Sequence, residues 1–407
     1  MIDMVADNVP ISDVDPFDEA FLADPWPRHE QLRDAGQVVY LERYGVWAVA
    51  RHEQVIATLH DWGTFGSGAG AGISNFRRET PWRKPSIILE ADPPLHTRTH
   101  KVLMRVLSPQ ALRELKPMFE REAEAMVDAL AARGTFDGAE DLAKAYPLRV
   151  FPNAVGLREE GREKLLVFGD MVFNAFGPRN ERLERALAAS GVVLPAIMEM
   201  CARESLSDDG LGARVYDAVE TGDISAEEAA MLVRSLLSAG LDTTINSLAA
   251  ALVCLARDPE AFERLRKDPS LARTAFDEAI RLESPVQTFF RTTNHATEIA
   301  GIPIPADAKV LMFLASANRD PRRWDEPDRY DLSRRTGGHV GFGSGIHRCV
   351  GEALSRLEGE AVLGALARRV RSIRLAGEPV LRFNNTIRGY VSLPLAFESS
   401  CSSVSSM

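Results

Sequence analysis

A glycine-rich loop with a single cysteine stands near the end of the chain, in the stretch GFGSGIHRCVG (Gly341–Gly351). Glycine has no side chain, so the backbone of such a loop can come close to a flat ligand. The helical pattern of Glu352–Val370 follows at once and places Cys349 at a helix N-terminus, where the helix dipole favours a thiolate. A thiolate on a glycine platform is suited to axial ligation of haem iron. The alternative is a structural cysteine buried before a helix.

A second unusual stretch, AGLDTT (Ala239–Thr244), lies in the middle of a long helical pattern. Asp242 and Thr243 are mediocre helix formers because their side chains compete for backbone hydrogen bonds. Gly240 weakens the helix further. The stretch therefore predicts an opened turn with room for dioxygen and water; the alternative is a harmless kink.

Charged side chains at helical spacing occur in EAIR, where Glu278 and Arg281 are three residues apart and share one helix face. Arg334, in the Pro-, Asp- and Arg-rich loop Asn318–Arg335, could share the carboxylate of Glu278. The three residues would then form a partly buried charge cluster behind the cysteine loop. The alternative is an ordinary ion pair on a helix surface.

The spacing of the cysteine loop, F-x-x-G-x-H-x-C-x-G, resembles the haem-binding loop of the cytochrome P450 family. Three further motifs agree in order: AGLDTT resembles the family's oxygen-activating turn, EAIR its E-x-x-R helix, and PDRYDLSR (Pro327–Arg334) its meander. With stretches further upstream, the resemblance covers most of the chain. It implies a mainly α fold with a small β region, the cytochrome P450 fold. It also implies one domain over residues 1–398 and a disordered tail over 399–407.

The same resemblance implies haem b as cofactor and dioxygen as co-substrate. Cys349 would ligate the iron, and Asp242 and Thr243 would deliver protons during oxygen activation. The two haem propionates need cationic partners. Where the family usually has an arginine, this chain has His100, which is charged only when protonated. By their position in the motifs, the haem-binding residues are His96, His100, Arg291, Phe342, His347, Cys349 and Gly351.

Four stretches narrow the resemblance to bacterial P450s that oxidise para-substituted benzoates, such as 4-methoxybenzoate O-demethylases: Pro81–Pro94, Val172–Pro178, Val233–Thr244 and Ser284–Thr293. The resemblance implies an apolar slot for a flat ring, formed by Leu89, Phe173, Phe176, Ala239 and Phe289. It implies that a carboxylate is held by Arg83, Ser86, Arg234, Ser235 and Ser238. The alternative is that Arg83 is a surface cation and that the serines only satisfy helix backbone.

Together these expectations describe a haem-thiolate monooxygenase that acts on the para substituent of a benzoic acid, by O-demethylation or hydroxylation. No flavin or ferredoxin domain is visible, so electrons from NAD(P)H should arrive through a ferredoxin reductase and a ferredoxin. A basic docking patch is expected from Arg98, Lys101, Arg105 and Arg348. Three alternatives remain open: a neutral apolar substrate such as a terpenoid, a non-catalytic haem sensor, and a peroxide-driven peroxygenase. The Asp242–Thr243 pair argues against the last two.

The composition of the chain limits its partners and its location. The 407 residues carry a net charge of −10, which argues against a nucleic-acid partner. The N-terminal stretch MIDMVADNVPISDVDPF has no basic region followed by an apolar run, so neither a signal peptide nor a membrane anchor is expected. The sequence predicts a cytoplasmic monomer.

Hydrophobic periodicity supplies the elements that must position these motifs. Helices are predicted over Pro109–Arg133, Ala226–Arg257 and Pro259–Leu282, and strands over Val38–Leu41, Trp47–Ala50 and Val310–Leu314. Ser108 is the expected N-cap of the first helix. The stretch GSGAGAG (Gly66–Gly72) predicts a flexible loop.

Overall fold

Helices dominate the computed structural model, which describes residues 9–399; 52% of residues are helical and 14% are in strands. The α-helices within this range are α1 (Glu19–Ala23), α2 (Trp26–Ala35), α3 (His52–His60), α4 (Leu95–Val106), α5 (Pro109–Arg133), α6 (Ala145–Val155), α7 (Lys164–Asn174), α8 (Glu181–Leu187), α9 (Ser190–Met200), α10 (Leu211–Glu220), α11 (Ala226–Ala239), α12 (Asp242–Arg257), α13 (Pro259–Lys267), α14 (Ala272–Glu283), α15 (Leu314–Asn318) and α16 (Glu352–Arg369). Turns of 3₁₀-helix occupy Glu42–Tyr44, Arg203–Ser205, Pro269–Leu271 and Gly345–His347, and a π-helix spans Ala139–Lys144. The mainly α fold class is confirmed.

The β part consists of short strands in four small sheets. The strands are β1 (Ile11–Ser12), β2 (Val39–Leu41), β3 (Val46–Val49), β4 (Phe65–Gly66), β5 (Thr135–Asp137), β6 (Thr288–Thr293), β7 (Thr297–Ile299), β8 (Ile302–Ile304), β9 (Lys309–Phe313), β10 (Val370–Leu375), β11 (Val380–Phe383), β12 (Arg388–Ser392) and β13 (Pro394–Ser399). The largest sheet has the order β1-β2-β3-β9-β6-β4, and the others are β10-β13-β5, β11-β12 and β7-β8. In the largest sheet β6 runs antiparallel to β9, with Arg291 opposite Val310.

Local capping explains where two of the predicted helices begin. The Ser108 hydroxyl accepts a hydrogen bond from the backbone N–H of Ala111, so α5 starts and ends at the predicted residues. Pro117 lies inside this helix without ending it. Helix α11 begins with a reciprocal capping box between Ser225 and Glu228.

The long predicted helix over Ala226–Arg257 is interrupted, as the AGLDTT stretch predicts. Helix α11 ends before Gly240, and α12 begins after Leu241. The backbone N–H of Gly240 still donates to the carbonyl of Leu236 at 2.9 Å. A Cβ atom at Gly240 would lie 2.4 Å from Cζ of Phe151, so only glycine lets this aromatic ring pack against the opened turn.

One other expectation about these elements is wrong. The predicted helix Pro259–Leu282 is divided into α13 and α14, because Pro269 lacks an N–H and disfavours helical backbone in the residue before it. The stretch Gly66–Gly72 is a loop after Gly66, as predicted, and it is largely buried. A Cβ atom at Gly72 would lie 2.6 Å from Cα of Phe176, so the glycine is needed for close packing.

The core is built around α12 and α16, both largely buried. The stretch Ala226–Arg257 is long and apolar enough to cross a membrane, with a mean hydropathy of 1.4, but 83% of its apolar window is buried inside the protein. It therefore has the character of a core helix. The tail predicted to be disordered lies outside the described residues, except for Ser399 at the end of β13.

Candidate active site

The cysteine loop is a tight backbone structure that leads into α16. The backbone N–H of Cys349 donates to the carbonyl of Phe342 at 2.9 Å. Gly343 and Gly345 adopt positive φ angles of 69° and 68°. A Cβ atom at Gly345 would lie 2.4 Å from the carbonyl oxygen of Leu59. The loop thus needs glycine both for its backbone conformation and for its approach to α3.

The thiol of Cys349 has an exposed side that faces a large cavity. Burial of the group raises the pKa of the Cys349 thiol to about 11, although backbone N–H groups of Gly351 and Glu352 bond to it and act in the opposite direction. The N–H groups of the helix N-terminus therefore stabilise the thiolate, but in the protein alone they do not offset the unfavourable desolvation of a charged sulfur. A cation at the sulfur would reverse this balance.

Basic and imidazole side chains line the same cavity. His96 lies with its ring centroid 4.3 Å from that of His347 and 5.3 Å from that of His100. Burial, with the nearby His347 and His100, lowers the pKa of His96 to about 4, and burial also lowers the pKa of His100. The cavity walls include every residue predicted to bind haem: His96, His100, Arg291, Phe342, His347, Cys349 and Gly351.

Two of these groups are buried without the partners that they need. Arg291 is 3% exposed, donates to the carbonyl of Phe290 at 2.9 Å, and has no carboxylate within 4 Å among residues 9–399. Burial lowers its pKa to about 10. His347 Nε2 is buried without a hydrogen-bond partner, and the nearest carboxylate oxygen, of Asp92, is 3.9 Å away. A buried guanidinium without a carboxylate and a buried imidazole nitrogen without a hydrogen-bond partner, beside a thiol and a glycine platform, fit a haem, whose propionates supply two negative charges.

The two residues predicted to deliver protons point in different directions. Thr243 lines the cavity, and its hydroxyl donates to the carbonyl of Ala239 at 2.6 Å. Asp242 is 2% exposed and does not line the cavity. Its carboxylate accepts a hydrogen bond from Arg382 at 3.0 Å, and Arg382 also donates to Asp170 at 2.6 Å. Burial raises the pKa of Asp242, and the Arg382 guanidinium opposes that shift.

Aromatic rings form one side of the cavity, as predicted for a flat ligand. Phe176 makes edge-to-face contacts with Phe173 and Phe289, at centroid separations of 5.9 and 5.2 Å. Leu89 and Ala239 also line this region. The residues predicted to form the slot therefore lie on one cavity, and they give it an apolar, aromatic side.

Serine hydroxyls line the polar end of this slot. The hydroxyl oxygens of Ser86 and Ser235 are 3.1 Å apart. Ser235 donates to the carbonyl of Met231 at 2.9 Å, and Ser238 donates to the carbonyl of Ser235 at 3.1 Å. Ser235 and Ser238 thus form hydrogen bonds to carbonyls of their own helix, which was the alternative to a role in binding a carboxylate. Both serines also line the cavity, as does Ser86.

The arginines near these serines are buried, so Arg83 is not a surface cation. The Arg83 side chain is 9% exposed and lines the cavity. It donates to Glu90 at 2.9 Å, while its Nε is buried without a partner. Arg234 does not line the cavity. It donates to the backbone carbonyls of Lys84 and Pro85 at 2.8 and 3.2 Å.

The charge cluster behind the cysteine loop combines a fully buried ion pair with the partly exposed Arg334. Glu278 and Arg281 are each 0% exposed, and their side chains form two hydrogen bonds of 2.7 and 2.8 Å. Arg334 Nε donates to the same carboxylate at 2.9 Å. Arg281 further donates to the carbonyls of Asn318 and Pro327. These bonds tie α14 to the meander, on the side of the loop away from the cavity.

The sequence reasoning missed a polar recess of the cavity between α12 and α16. It is lined by Thr244, Ser247, Ser355 and Glu358. Glu358 is 1% exposed, neither carboxyl oxygen has a hydrogen-bond partner among the described residues, and burial raises its pKa. The spacing of Gly351, Ser355 and Glu358 at i, i+4 and i+7 could have revealed this face. No comparable signal pointed to Glu90 or Arg382.

Comparison with known proteins agrees with this geometry. The family model described as Cytochrome P450 matches residues 203–392. The protein named cytochrome P450 CYP199A2 from Rhodopseudomonas palustris is 57% identical over 389 residues, which cover 95% of this chain and 94% of that protein. Cytochrome P450 107B1 from Saccharopolyspora erythraea is 31% identical, over 95% of this chain and 98% of its own length.

Solved structures show the same fold over nearly the whole length. Cytochrome P450 CREJ in complex with (4-ethylphenyl) dihydrogen phosphate superposes with a TM-score of 0.85 at 27% identity, covering 94% of this chain and 99% of that one. CYP109Q5 from Chondromyces apiculatus gives a TM-score of 0.80 at 30% identity, covering 96% and 99%. This chain therefore belongs to the cytochrome P450 family and is a monooxygenase that uses haem and dioxygen.

Proposed function

We propose that this monooxygenase oxidises the para substituent of benzoic acids, by O-demethylation or hydroxylation. The observation that carries the proposal is the combination of an aromatic slot with a buried, positively charged, hydroxyl-lined end. Arg83 lines that end and is paired with Glu90, while Arg234, which does not line the cavity, bonds to the backbone of the same loop. A carboxylate entering an apolar slot loses hydration and requires such charge-assisted hydrogen bonds. The resemblance to benzoate-oxidising P450s noted in the sequence points the same way.

In this proposal the ligand enters with its carboxylate toward Arg83, Ser86, Ser235 and Ser238. The unpartnered Nε of Arg83 is free to donate. The aromatic side chains then hold the ring flat, and the rigid ring presents only its far end to the cysteine loop. Such fixed orientation converts a bimolecular encounter into a positioned reaction. It favours the para substituent over the ortho substituent.

We propose Cys349 as the iron ligand of a haem b. When bound, a thiolate-ligated haem supplies the oxygen-activating chemistry, because thiolate donation favours O–O cleavage. Arg291 and His347 would pair with the propionates, and His96 and His100 would add hydrogen bonds. Phe342 and Gly351 form the platform from which the sulfur projects.

We propose that Thr243 holds a hydroxyl proton at the cavity and that Asp242 is the carboxyl group behind it. Because Asp242 is bonded to Arg382, its carboxylate can reach the cavity only by leaving that guanidinium. Arg382 therefore controls the position of this acid. The slot excludes bulk water from the hydroxyl of Thr243 when the ring is in place.

Redox partners are needed to bring electrons, and we propose a ferredoxin with its reductase. The basic patch expected from the sequence is mostly paired within the protein. Arg98 bonds to Glu228 and Arg348 to Glu352. Arg105 is paired with Asp223, whereas Lys101 has no carboxylate within 4 Å among the described residues. An acidic partner would have to compete with these internal pairs.

An aryl phosphate with a para alkyl group is the ligand class against which the benzoate proposal needs to be compared. The similar solved structure of CREJ contains (4-ethylphenyl) dihydrogen phosphate. Such a ligand shares the para-substituted ring of the benzoates, but its head group is larger and carries more negative charge. If the affinity does not depend on the charge of the head group, the substrate is instead a neutral apolar molecule.

Optical titration of the haem-loaded protein tests the proposal. Ligands that displace water from the iron should shift the haem band, and 4-methoxybenzoate should bind at least about tenfold tighter than 4-methoxybenzamide, because a charged hydrogen bond contributes roughly 1.5–3 kcal/mol. The variant Arg83→Gln should weaken binding of the acid by about one to two orders of magnitude and leave the amide nearly unchanged.

The matched control is Lys84→Gln, which removes the same charge from the next residue. Lys84 is 56% exposed on its side chain and pairs with Glu227 at the surface, so this variant should bind the acid as the wild type does. Equal affinity of wild-type protein for acid and amide would reject the benzoate proposal.

A further inference from the structure

The carboxylate of Glu90 is a buried part of the loop at the polar end of the slot, although it does not line the cavity itself. Its side chain is 4% exposed. One carboxylate oxygen accepts hydrogen bonds from Arg83 Nη1 at 2.9 Å and from the backbone N–H of Ser86 at 2.7 Å. The backbone N–H of Glu90 donates to the carbonyl of Ser86 at 3.0 Å. Glu90 therefore both folds this loop and partly neutralises Arg83.

The charges around this loop do not cancel. Arg234 is 6% exposed and has no carboxylate within 4 Å in residues 9–399; its guanidinium donates only to backbone carbonyls. Burial, with the neighbouring charge of Arg83, lowers the pKa of Arg234 to about 10, so it is charged at neutral pH. Two buried guanidinium groups, Arg83 on the cavity wall and Arg234 outside it, thus accompany one buried carboxylate. These three groups together carry one net positive charge before any ligand binds.

One further amine lies close enough to matter. Lys309 is buried on β9 and donates to the carbonyls of Ala69 and Gly70 at 3.2 and 2.9 Å. Burial lowers its pKa to about 7, while Glu90 raises it. Lys309 therefore adds a partial positive charge at neutral pH. The excess of the cluster lies between one and two positive charges, so a bound monoanion does not make the cluster negative, whereas a dianion does.

We propose that Glu90 is a specificity-determining residue that balances Arg83 and Arg234, so that the slot accepts a ligand with one negative charge and discriminates against a ligand with two. This inference rests on the proposed function, since it assumes that an anionic head group occupies the polar end of the slot. With a monoanion bound, the two guanidinium groups accompany two anions. A second ligand charge leaves an uncompensated negative charge in a buried site, which is unfavourable.

The physical cause is repulsion between Glu90 and the head group. Both groups approach Arg83, so they lie within a few ångströms of each other at low local dielectric. Replacing Glu90 by glutamine removes the charge but keeps a side-chain oxygen that can accept from Arg83 and Ser86. The substitution therefore changes electrostatics with little change in hydrogen bonding. Because Coulomb energy is proportional to charge, a dianion should gain about twice as much free energy as a monoanion.

The test is optical titration of haem-loaded wild type and Glu90→Gln with three ligands that share a para-methoxyphenyl ring: 4-methoxybenzoate, 4-methoxyphenyl phosphate and 4-methoxybenzamide. In Glu90→Gln the benzoate should bind about tenfold tighter and the phosphate roughly a hundredfold tighter, with the amide unchanged. Comparing each ligand with itself removes the difference in size between the head groups. The control Glu227→Gln removes a carboxylate that is 74% exposed at the surface, and it should change none of the three affinities.

Benzoate affinity that is unchanged or weaker in Glu90→Gln would overturn the inference and would show that Glu90 serves only to fold the loop. That failure is distinct from failure of the proposed function, which would appear as equal binding of acid and amide in the wild type. If Glu90→Gln does not load haem, a measurement on the wild type decides. Phosphate monoesters gain their second charge near pH ~6, below the pKa of about 7 of Lys309. Phosphate affinity should therefore fall relative to benzoate affinity as the pH rises from about 5 to about 6.5, a range in which Lys309 keeps most of its charge. A constant ratio of the two affinities would overturn the inference.

Discussion

Two glycines of α16 should respond in opposite ways to the same substitution. A Cβ atom at Gly359 would lie 2.5 Å from two ring atoms of Phe276, which is 0% exposed on α14. A Cβ atom at Gly364 would meet only the guanidinium end of Arg368, at 3.1 Å. That end belongs to a flexible side chain that is 45% exposed. The buried ring at Gly359 has no such freedom.

The magnitude follows from two terms. Alanine in place of glycine inside a helix stabilises by about 1 kcal/mol. Gly364→Ala should gain up to that amount. Gly359→Ala should gain the same term but lose about 1–3 kcal/mol by overpacking. Because the helix term is common to both variants, the difference between them measures the clash alone.

The assay is thermal unfolding of the haem-loaded variants, followed both by circular dichroism and by the haem band. An unfolding entropy of roughly 2 cal/mol/K per residue makes 1 kcal/mol equal to about 1 °C for a chain of this size. Gly359→Ala should therefore unfold about 1–4 °C below Gly364→Ala. Equal midpoints would refute the argument, because they would mean that α14 and α16 separate without cost.

Four other predictions follow from the site. Cys349→Ala should abolish the thiolate-type absorption band of the reduced, carbon-monoxide-bound protein, and an unchanged band would remove Cys349 as ligand. Thr243→Ala should bind substrate normally but release more hydrogen peroxide per NADH consumed; unaltered coupling would make the hydroxyl merely structural. His100→Arg should improve haem retention at mildly alkaline pH, where histidine is neutral, and change it little in acid; retention that is equal at both would show that His100 does not contact a propionate. Burial lowers the pKa of His339 to about 4, so the unfolded chain, with a histidine pKa near ~6.5, takes up the proton first. Stability should therefore fall as the pH decreases from about 6.5 to about 4, and His339→Gln should reduce that fall in urea unfolding.

Features set within a few residues could be predicted from the sequence. The start of α5 depends on a bond between Ser108 and Ala111, and the opened turn at Gly240 depends on its immediate neighbours. The motif pair Glu278 and Arg281 is likewise local. In one case a local signal was present but overlooked, since Pro269 divides the helix predicted over Pro259–Leu282.

Contacts between distant parts of the chain were not predictable in the same way. Arg382 donates to Asp242 although 140 residues separate them in the chain, and no sequence pattern near either residue predicts the pair. The pairing of Arg83 with Glu90 spans seven residues, but it requires a loop that folds back on itself, a shape without helical or strand periodicity. The charge state of the slot therefore became visible only when burial and partners were known.

The interruption at Gly240 lies between the serines at the polar end of the slot and Thr243, so it affects the distance between these two parts of the site. Ser235 on α11 and Thr243 on α12 are eight residues apart along the chain, which corresponds to about 12 Å along the axis of a continuous helix. The serine end holds the head group in the proposed orientation, and the threonine end lies where oxidation takes place. The spacing between Ser235 and Thr243 then selects substrates by their length, and the helix break at Gly240 lies between these two residues, nearer to Thr243. A spacer inserted between ring and carboxylate would carry the reacting atom past the threonine. A residue inserted at Gly240 would add about 1.5 Å to the separation and would also turn Thr243 by about 100° relative to the serines.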